Sequence, residues 1–281
     1  MKILSTVSSM RAACKEYLLR GQTLGFVPTM GALHAGHLSL VRAAKRECNR
    51  VAASIFVNPT QFGPTEDLSR YPRPFERDAK MLEEEGVDLL FHPQVEEIYP
   101  GGATTFVEVG ELGGRLDGKS RPGHFRGVAT VLAKLFHIVQ PTVAFFGLKD
   151  AAQCAVIRRM VKDLHFDVRL CFGETVREPD GLAMSSRNTY LSPEERKQAL
   201  VLYRALKAVM ELWRKGVKES ALLAQAAREV LASESAVKLD YFEIVDPATL
   251  EPKGEAQGET LVAVAAYVGT TRLIDNVLLS N

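Results

Sequence analysis

Leu24-Gly-Phe-Val-Pro28-Thr-Met30-Gly31-Ala32-Leu33-His34-Ala35-Gly36-His37 runs from a short apolar stretch into a Gly/His turn and on into a helical segment over 37–48. The next stretch, Val51-Ala-Ala-Ser-Ile-Phe-Val57, reads as a second strand with enough β-branched residues for a buried position. Strand, turn, helix, strand is the repeating unit of a parallel sheet, because parallel neighbours need a crossover connection. The pattern continues outward. Pro74 opens a helix over 75–85 that stops at Gly86, and 87–91 is a strand. After a polar, Gly-rich stretch, 124–139 is helical, 142–146 a strand, 150–164 helical and 166–172 a strand. The class this predicts is α/β, a parallel sheet flanked by helices on both faces.

The pattern changes near Thr175. Helical segments over 193–215 and 218–233 follow one another, and short strands then occupy 239–245, 260–266 and 272–278. Consecutive helices followed by hairpin-like strands predict a smaller α+β C-terminal domain over 176–281, after a first domain over 1–175. A length of 281 residues suits two domains at about 150 residues each.

Composition excludes several function classes. With 46% hydrophobic and 25% charged residues, the chain is not of the disordered type. Its 35 Lys and Arg against 34 Asp and Glu leave +1, without the basic excess that a phosphate-gripping nucleic-acid binder carries. The longest apolar run, 261–268, is too short to cross a bilayer as a helix. Residues 1–19 are broken by Ser5, Ser8, Ser9, Arg11, Lys15 and Glu16 and lack a signal-peptide core, so a cytoplasmic protein without membrane partners is expected. Cys14, Cys48, Cys154 and Cys171 form no C-x-x-C pair and read as buried thiols rather than a disulfide framework or a zinc site.

Ligands of an open parallel sheet bind at the carboxyl ends of its strands, where the Gly/His turn falls. A helix starting near Gly36 would aim backbone N–H groups and its positive dipole end at a phosphate there. His34 and His37, one helical turn apart, could donate hydrogen bonds to an oxygen gaining charge as pyrophosphate leaves. By itself, H-x-G-H reads first as a glycine-rich turn with two ordinary histidines. It lacks the intervening Glu and third ligand of a zinc site.

A second cluster, Arg177-Glu-Pro-Asp180-Gly181-Leu-Ala-Met184-Ser185-Ser186-Arg187-Asn188, offers two hydroxyls beside a guanidinium, either a phosphate clamp or a capped turn on a linker. A third, Phe146-Gly147-Leu148-Lys149-Asp150-Ala-Ala-Gln153, joins a strand to a helix. Lys149 could neutralise phosphate there, and Asp150 could hold a ribose or simply cap the helix. Gln61, in the loop Asn58-Pro-Thr-Gln61-Phe62-Gly63, could read a small hydroxy acid. Arg121-Pro-Gly-His124-Phe-Arg126 is a basic loop that could equally be a solvated turn. The glycines fit neither G-x-G-x-x-G nor G-x-x-x-x-G-K-[ST], which disfavours a dehydrogenase or a P-loop enzyme.

The stretches at 28–37 (PTMGALHAGH), 56–73 (FVNPTQFGPTEDLSRYPR), 121–128 (RPGHFRGV), 146–150 (FGLKD) and 177–188 (REPDGLAMSSRN) together resemble the pantoate–β-alanine ligase family, almost end to end. The family belongs with the nucleotidyltransferases related to class I aminoacyl-tRNA synthetases. The resemblance implies a Rossmann-like, dinucleotide-fold first domain, a smaller C-terminal lid domain and a homodimer, with ATP, Mg²⁺, pantoate and β-alanine as ligands. It implies an ATP site made of Met30, Gly31, Ala32, Leu33, His34, Ala35, Gly36 and His37, of Gly147, Leu148, Lys149 and Asp150, and of Val176, Met184, Ser185, Ser186 and Arg187. His37, His34, Lys149 and Arg187 would be catalytic, Gln61 and Gln153 would hold pantoate, Gln61 would also lie near β-alanine, and no metal ligands follow. Leu148 and Ala151 depart from the family's usual residues.

The implied chemistry is a pantoyl adenylate followed by amide formation, releasing pyrophosphate and AMP. A nucleotidyltransferase that stops at an adenylylated or cytidylylated product would share H-x-G-H but would leave the loop over 58–73 without a role. A nucleotide-binding regulator or RNA binder on the same fold is the other alternative, against which the balanced charge argues.

Overall fold

The apolar run ahead of the Gly/His turn is a buried strand in the computed structural model, which describes residues 1–280. In chain order the first elements are β1 (Lys2–Leu4), α1 (Val7–Leu19), β2 (Leu24–Thr29), α2 (Ala35–Glu47), β3 (Arg50–Ile55), α3 (Phe75–Glu84) and β4 (Leu89–Phe91). Next come α4 (Val95–Ile98), α5 (Asp117–Ser120), α6 (His124–Val139), β5 (Val143–Gly147), α7 (Ala151–Asp163) and β6 (Arg169–Gly173). The remainder is α8 (Pro193–Arg214), α9 (Ser220–Ala232), β7 (Val237–Val245), β8 (Thr260–Val268) and β9 (Thr271–Leu279). The chain divides into two compact units, one of Met1–Gly114, Arg121–Leu148 and Val156–Glu174, the other of Arg115–Ser120, Lys149–Ala155 and Thr175–Asn281.

The first unit carries a parallel sheet in the order β1-β4-β3-β2-β5-β6. The chain leaves β2 toward β3 and leaves β5 toward β6, so the neighbours β2 and β5 mark the topological switch point where such sheets open a crevice. β2 pairs with β3 over Leu24–Thr29 but with β5 only through Gly25 and Phe26. Beyond them stands Pro28, which has no N–H to extend a ladder. One side of the sheet packs Val27, Val51, Ala53, Leu90 and Phe145 against Leu40, Val41 and Ala44 of α2 and Leu82 of α3.

β1 and α1 have no counterpart in the elements expected from the sequence. A strand of 3 residues is too short for alternation to be visible, and β1 exists because it pairs with Leu89–Phe91 far along the chain. α1 is capped by the Thr6 side chain and buries Met10 and Cys14. β6 begins at Arg169 rather than 166, because His165 (φ 51°) turns left-handed after α7 and the Val168 N–H closes on the Phe166 carbonyl. Cys14, Cys48 and Cys154 are buried and Cys171 partly so; burial pushes the Cys14 thiol up to about 12.

The second unit is an antiparallel β7-β8-β9 sheet packed against α8 and α9. Pro193 at the first turn of α8 and the Ser192/Glu195 capping box set that helix's start. The segment Arg115–Ser120 joins this unit through ionic contacts: Arg272 pairs with Asp117 and with Asp240, each at 2.8 Å, and the Tyr241 hydroxyl donates to Asp117 at 3.2 Å. No helix among the described residues is long and apolar enough to cross a membrane.

Candidate active site

The turn after β2 is shaped from below by a residue outside it. Asp78 of α3, 1% exposed, accepts the Ala32 N–H at 2.6 Å and the Leu33 N–H at 2.9 Å, one on each carboxylate oxygen. Burial raises the Asp78 carboxyl above its ordinary range, and the two N–H bonds oppose that rise. The grip holds Ala32 at φ 51°, a left-handed conformation that alanine adopts at a cost of about 1 kcal/mol. The Arg77 guanidinium adds a bond to the Leu33 carbonyl at 3.1 Å, and the Gly31 N–H donates to the Thr29 hydroxyl at 3.1 Å.

His34 and His37 cap α2 reciprocally. The Gly36 N–H donates to His34 Nδ1 at 3.2 Å and the His34 N–H donates to His37 Nδ1 at 3.3 Å, a capping box written in imidazoles. A backbone N–H can only donate, so both Nδ1 atoms carry lone pairs and each neutral ring carries its proton on Nε2. The ring centroids are 4.1 Å apart. Nε2 is then the N–H nitrogen of each ring. Of the amides around the helix start, the Gly31, Ala32, Leu33, His34, Gly36 and His37 N–H groups bond within the unit.

Gln61 sits in a 3₁₀ turn, Pro59–Gln61, after β3. Asn58, 1% exposed, arranges it: its Nδ2 donates to Gln61 Oε1 at 3.1 Å and to the Gly127 carbonyl at 3.1 Å. Its Oδ1 accepts from Tyr99 at 2.8 Å and from the Thr60 hydroxyl at 3.0 Å. The Gln61 amide nitrogen then faces Met30 Sδ at 3.0 Å, which brings Gln61 to the Gly/His turn. α6 lies so close to the turn that a Cβ on Gly127 would stand 2.3 Å from the Thr60 carbonyl oxygen. Beside Met30 and Gly31 opens a cavity of about 250 Å³, lined also by Arg73, Phe75, Asp78 and His92.

The basic loop serves the same turn. Arg121 holds both oxygens of Glu66 at 2.7 Å and donates to the Gln61 carbonyl at 3.4 Å, while His124 Nδ1 donates to that carbonyl at 2.8 Å. Burial pushes the Glu66 carboxyl up, but the Arg121 hydrogen bonds and charge outweigh it and leave the carboxyl below its ordinary value of 4.5. A carboxyl depressed by folding contributes stability above its unfolded pKa and loses it as pH falls through the folded one. Glu66→Gln is therefore expected to flatten the acid limb of the stability profile below pH 4.5, while leaving the dependence near neutrality unchanged. Urea unfolding at a series of pH values reads this directly; an acid limb as steep as wild type would contradict it.

In the second unit, Lys149 pairs with Asp150 at 3.6 Å. Gln153 lies half-buried in the first turn of α7. The cluster over 177–188 is an antiparallel hairpin, in which Arg177 bridges Ala183 and the Met184 N–H reaches the Val176 carbonyl at 3.0 Å. It leads into a 3₁₀ turn, Ser186–Tyr190, which Ser185 caps by accepting the Arg187 N–H at 3.3 Å. The first unit thus brings together Met30, His34, His37 and Gln61, and the second holds Lys149, Asp150, Gln153, Val176 and Met184–Arg187. Sequence reasoning missed Asn58 and Gly127 as positioning residues, and also Asp78. For Asp78 a signal existed: a carboxylate on the apolar stripe Phe75, Ala79, Leu82 of α3 is out of place unless it is bonded. Among the described residues, no group of three or more His, Cys, Asp or Glu side chains could hold a metal ion.

The fold is of the α/β class, with the candidate groups His34, His37 and Gln61 gathered where such sheets bind their ligands. Residues 2–278 match the family described as Pantoate-beta-alanine ligase. The pantothenate synthetase of Acidobacterium capsulatum is 60% identical over 290 residues, which cover 99% of this chain and 97% of that relative. The crystal structure of pantothenate synthetase from Thermus thermophilus shares 52% identity over 99% of each chain at a TM-score of 0.94. The pantoate-beta-alanine ligase from Francisella tularensis, solved in complex with beta-gamma ATP and beta-alanine, shares 35% identity over 99% of this chain and 97% of that one at a TM-score of 0.82. The chain belongs to the pantoate–β-alanine ligase family: it is an enzyme, a ligase of pantothenate biosynthesis.

Proposed function

We propose that the enzyme condenses pantoate with β-alanine at the expense of ATP through a pantoyl adenylate. In the first step a pantoate carboxylate oxygen bonds to the α-phosphorus of ATP, and the bond to the bridging oxygen breaks, releasing pyrophosphate. In the second, the neutral amine of β-alanine attacks the acyl carbon. The C–N bond forms, the bond to AMP breaks and the amine sheds its proton. Neither step needs a protein nucleophile, so the chain's contribution is positioning and charge stabilisation.

The observation that carries this reading is the imidazole pair of His34 and His37, held as two Nε2–H donors at the switch point with Gln61 facing the same turn through Met30. Such donors stabilise charge that develops on phosphate oxygens without supplying or removing a proton. Lys149 and Arg187 are proposed as the cationic groups for the same charge, and Met30–His37, Gly147–Asp150, Val176 and Met184–Arg187 as the nucleotide contacts. The ATP and β-alanine in the Francisella tularensis ligase support these substrates here. Gln61 and Gln153 are proposed to hold pantoate, with Gln61 also near β-alanine.

Among the described residues, no side-chain cluster fits a protein-made Mg²⁺ cage. Mg²⁺ is proposed to enter on the triphosphate oxygens, where it would offset their charge, as such ions commonly do. The resemblance supports three further proposals: a lid role for residues 176–281, a homodimer, and a cytoplasmic location. Sedimentation of the purified chain tests the dimer.

Product analysis with ATP, Mg²⁺, pantoate and β-alanine, omitting each in turn, tests the reading. AMP at full turnover is expected only when both organic substrates are present. AMP release indifferent to pantoate would contradict it. Gln61→Ala is expected to weaken pantoate by about tenfold, the value of one or two lost hydrogen bonds, and ATP by much less. Equal weakening of both ligands in calorimetry would remove Gln61 from the acid pocket.

A further inference from the structure

Two adjacent buried polar residues on β9, Asp275 and Asn276, are unused by the mechanism above. A strand in a small sheet gains nothing from burying a carboxylate and an amide unless both are bonded. Both bonds lead to segments proposed to touch the nucleotide. The Arg177 guanidinium forks onto Asp275 at 2.6 and 2.9 Å and also donates to the Asn276 carbonyl at 3.2 Å and the Gly181 carbonyl at 3.1 Å. The same guanidinium lies 4.0 Å over the Tyr203 ring. Tyr203 in turn packs so tightly on the hairpin that a Cβ on Gly181 would stand 2.3 Å from its ring. The hairpin over 176–184 is therefore fixed at its base by one charged fork and at its tip by one ring.

Asn276 does the corresponding work for Lys149. Its Nδ2 donates to the Lys149 carbonyl at 2.8 Å, and its own N–H donates to Asp275 Oδ1 at 2.7 Å. Burial raises the Asp275 carboxyl, while Arg177 and then the Lys149 charge pull against that rise. β9 also packs against the turn Ser186–Tyr190 that carries Arg187. One dipeptide thus ties Lys149 to the 176–184 hairpin, and the strand that carries it packs against the turn that follows.

We infer that Asp275 and Asn276 are positioning residues for nucleotide binding, acting through the Lys149 main chain and the Arg177 hairpin. The inference rests on the nucleotide role proposed for Lys149, Val176 and Met184–Arg187. Neither residue is among the contacts proposed above for the nucleotide or for pantoate. Their part is to present Lys149 and Arg187 in a single arrangement before ATP arrives, so that binding does not spend free energy on ordering them.

The test is the ATP affinity of full-length Asn276→Ala by calorimetry, a readout that needs no turnover, alongside KM values for all substrates and a thermal unfolding curve. The expected result is an ATP affinity three- to tenfold weaker, as for one lost hydrogen bond, with KM for pantoate and β-alanine within about twofold of wild type. A merely structural role would shrink the folded, active fraction and lower kcat while leaving the ATP affinity of that fraction unchanged. That outcome overturns the inference. Should Asn276→Ala not fold, Asn276→Asp keeps the side chain's shape while replacing the donor to the Lys149 carbonyl with an acceptor, and the same weakening is expected. Wild-type enzyme that binds ATP yet forms no pantoate-dependent AMP would defeat the proposed reaction. A folded variant with wild-type ATP affinity would defeat this inference alone.

Discussion

His37→Ala is expected to fold and to form pantoyl adenylate about 10²–10³ more slowly, the usual cost of removing one pre-oriented donor from a developing charge. The substitution removes two things. One is the Nε2–H donor; the other is the Nδ1 acceptor for the His34 N–H at 3.3 Å. Losing the cap costs about 1 kcal/mol of stability and does not unfold a chain of this size. His37→Asn separates the two losses. Its side-chain oxygen can accept the His34 N–H, but it places no donor where Nε2–H stood. Both variants should lose the rate, and only the alanine variant should lose the stability. Near-normal adenylate formation in either would remove His37 from the reaction.

Gly127→Ala is expected to weaken pantoate binding by about 10- to 100-fold and to destabilise the protein by about 1–3 kcal/mol. A methyl group on this position of α6 would stand 2.3 Å from the Thr60 carbonyl oxygen and 2.6 Å from Gln61 Cα. Both obstacles are backbone, so no side-chain rotation relieves the overlap and the turn Pro59–Gln61 must move away from the helix. Asn58 bonds to the Gly127 carbonyl and to Gln61 at once, so the shift breaks the link that orients the Gln61 amide. The effect should fall on pantoate more than on ATP. Unchanged pantoate affinity in a folded variant would show that the turn tolerates displacement and that Gln61 is not held in the way described.

These two residues also mark what a sequence can and cannot disclose. The helix and strand alternation, the Gly/His turn and the polar loop after β3 were readable because their signals are local: periodicity, turn chemistry and a cap written within a few residues. The class of fold followed from them. The close pairing of His34 and His37 was readable from their spacing of one helical turn, but their tautomers were not, since those depend on which N–H each Nδ1 meets. Nothing local marks Gly127, because the backbone it accommodates lies at Thr60. Asn58 gave no sign that it spans to Tyr99 and Gly127. Asp275 and Asn276 stand in an apolar strand nearly a hundred residues after Arg177, and nothing local in either stretch names the other. β1 is a strand only through β4. The unreadable part is therefore the set of long-range polar contacts around the proposed site residues, while the proposed residues themselves lie in legible motifs.

If the acid is adenylated before the amine takes part, ATP–pyrophosphate exchange must run without the amine. With labelled pyrophosphate, ATP, Mg²⁺ and pantoate but no β-alanine, label is expected to enter ATP at a rate that requires pantoate, and that exchange is expected to be lost in His37→Ala. Absence of exchange with pantoate present, in enzyme that still makes pantothenate when β-alanine is added, would contradict it.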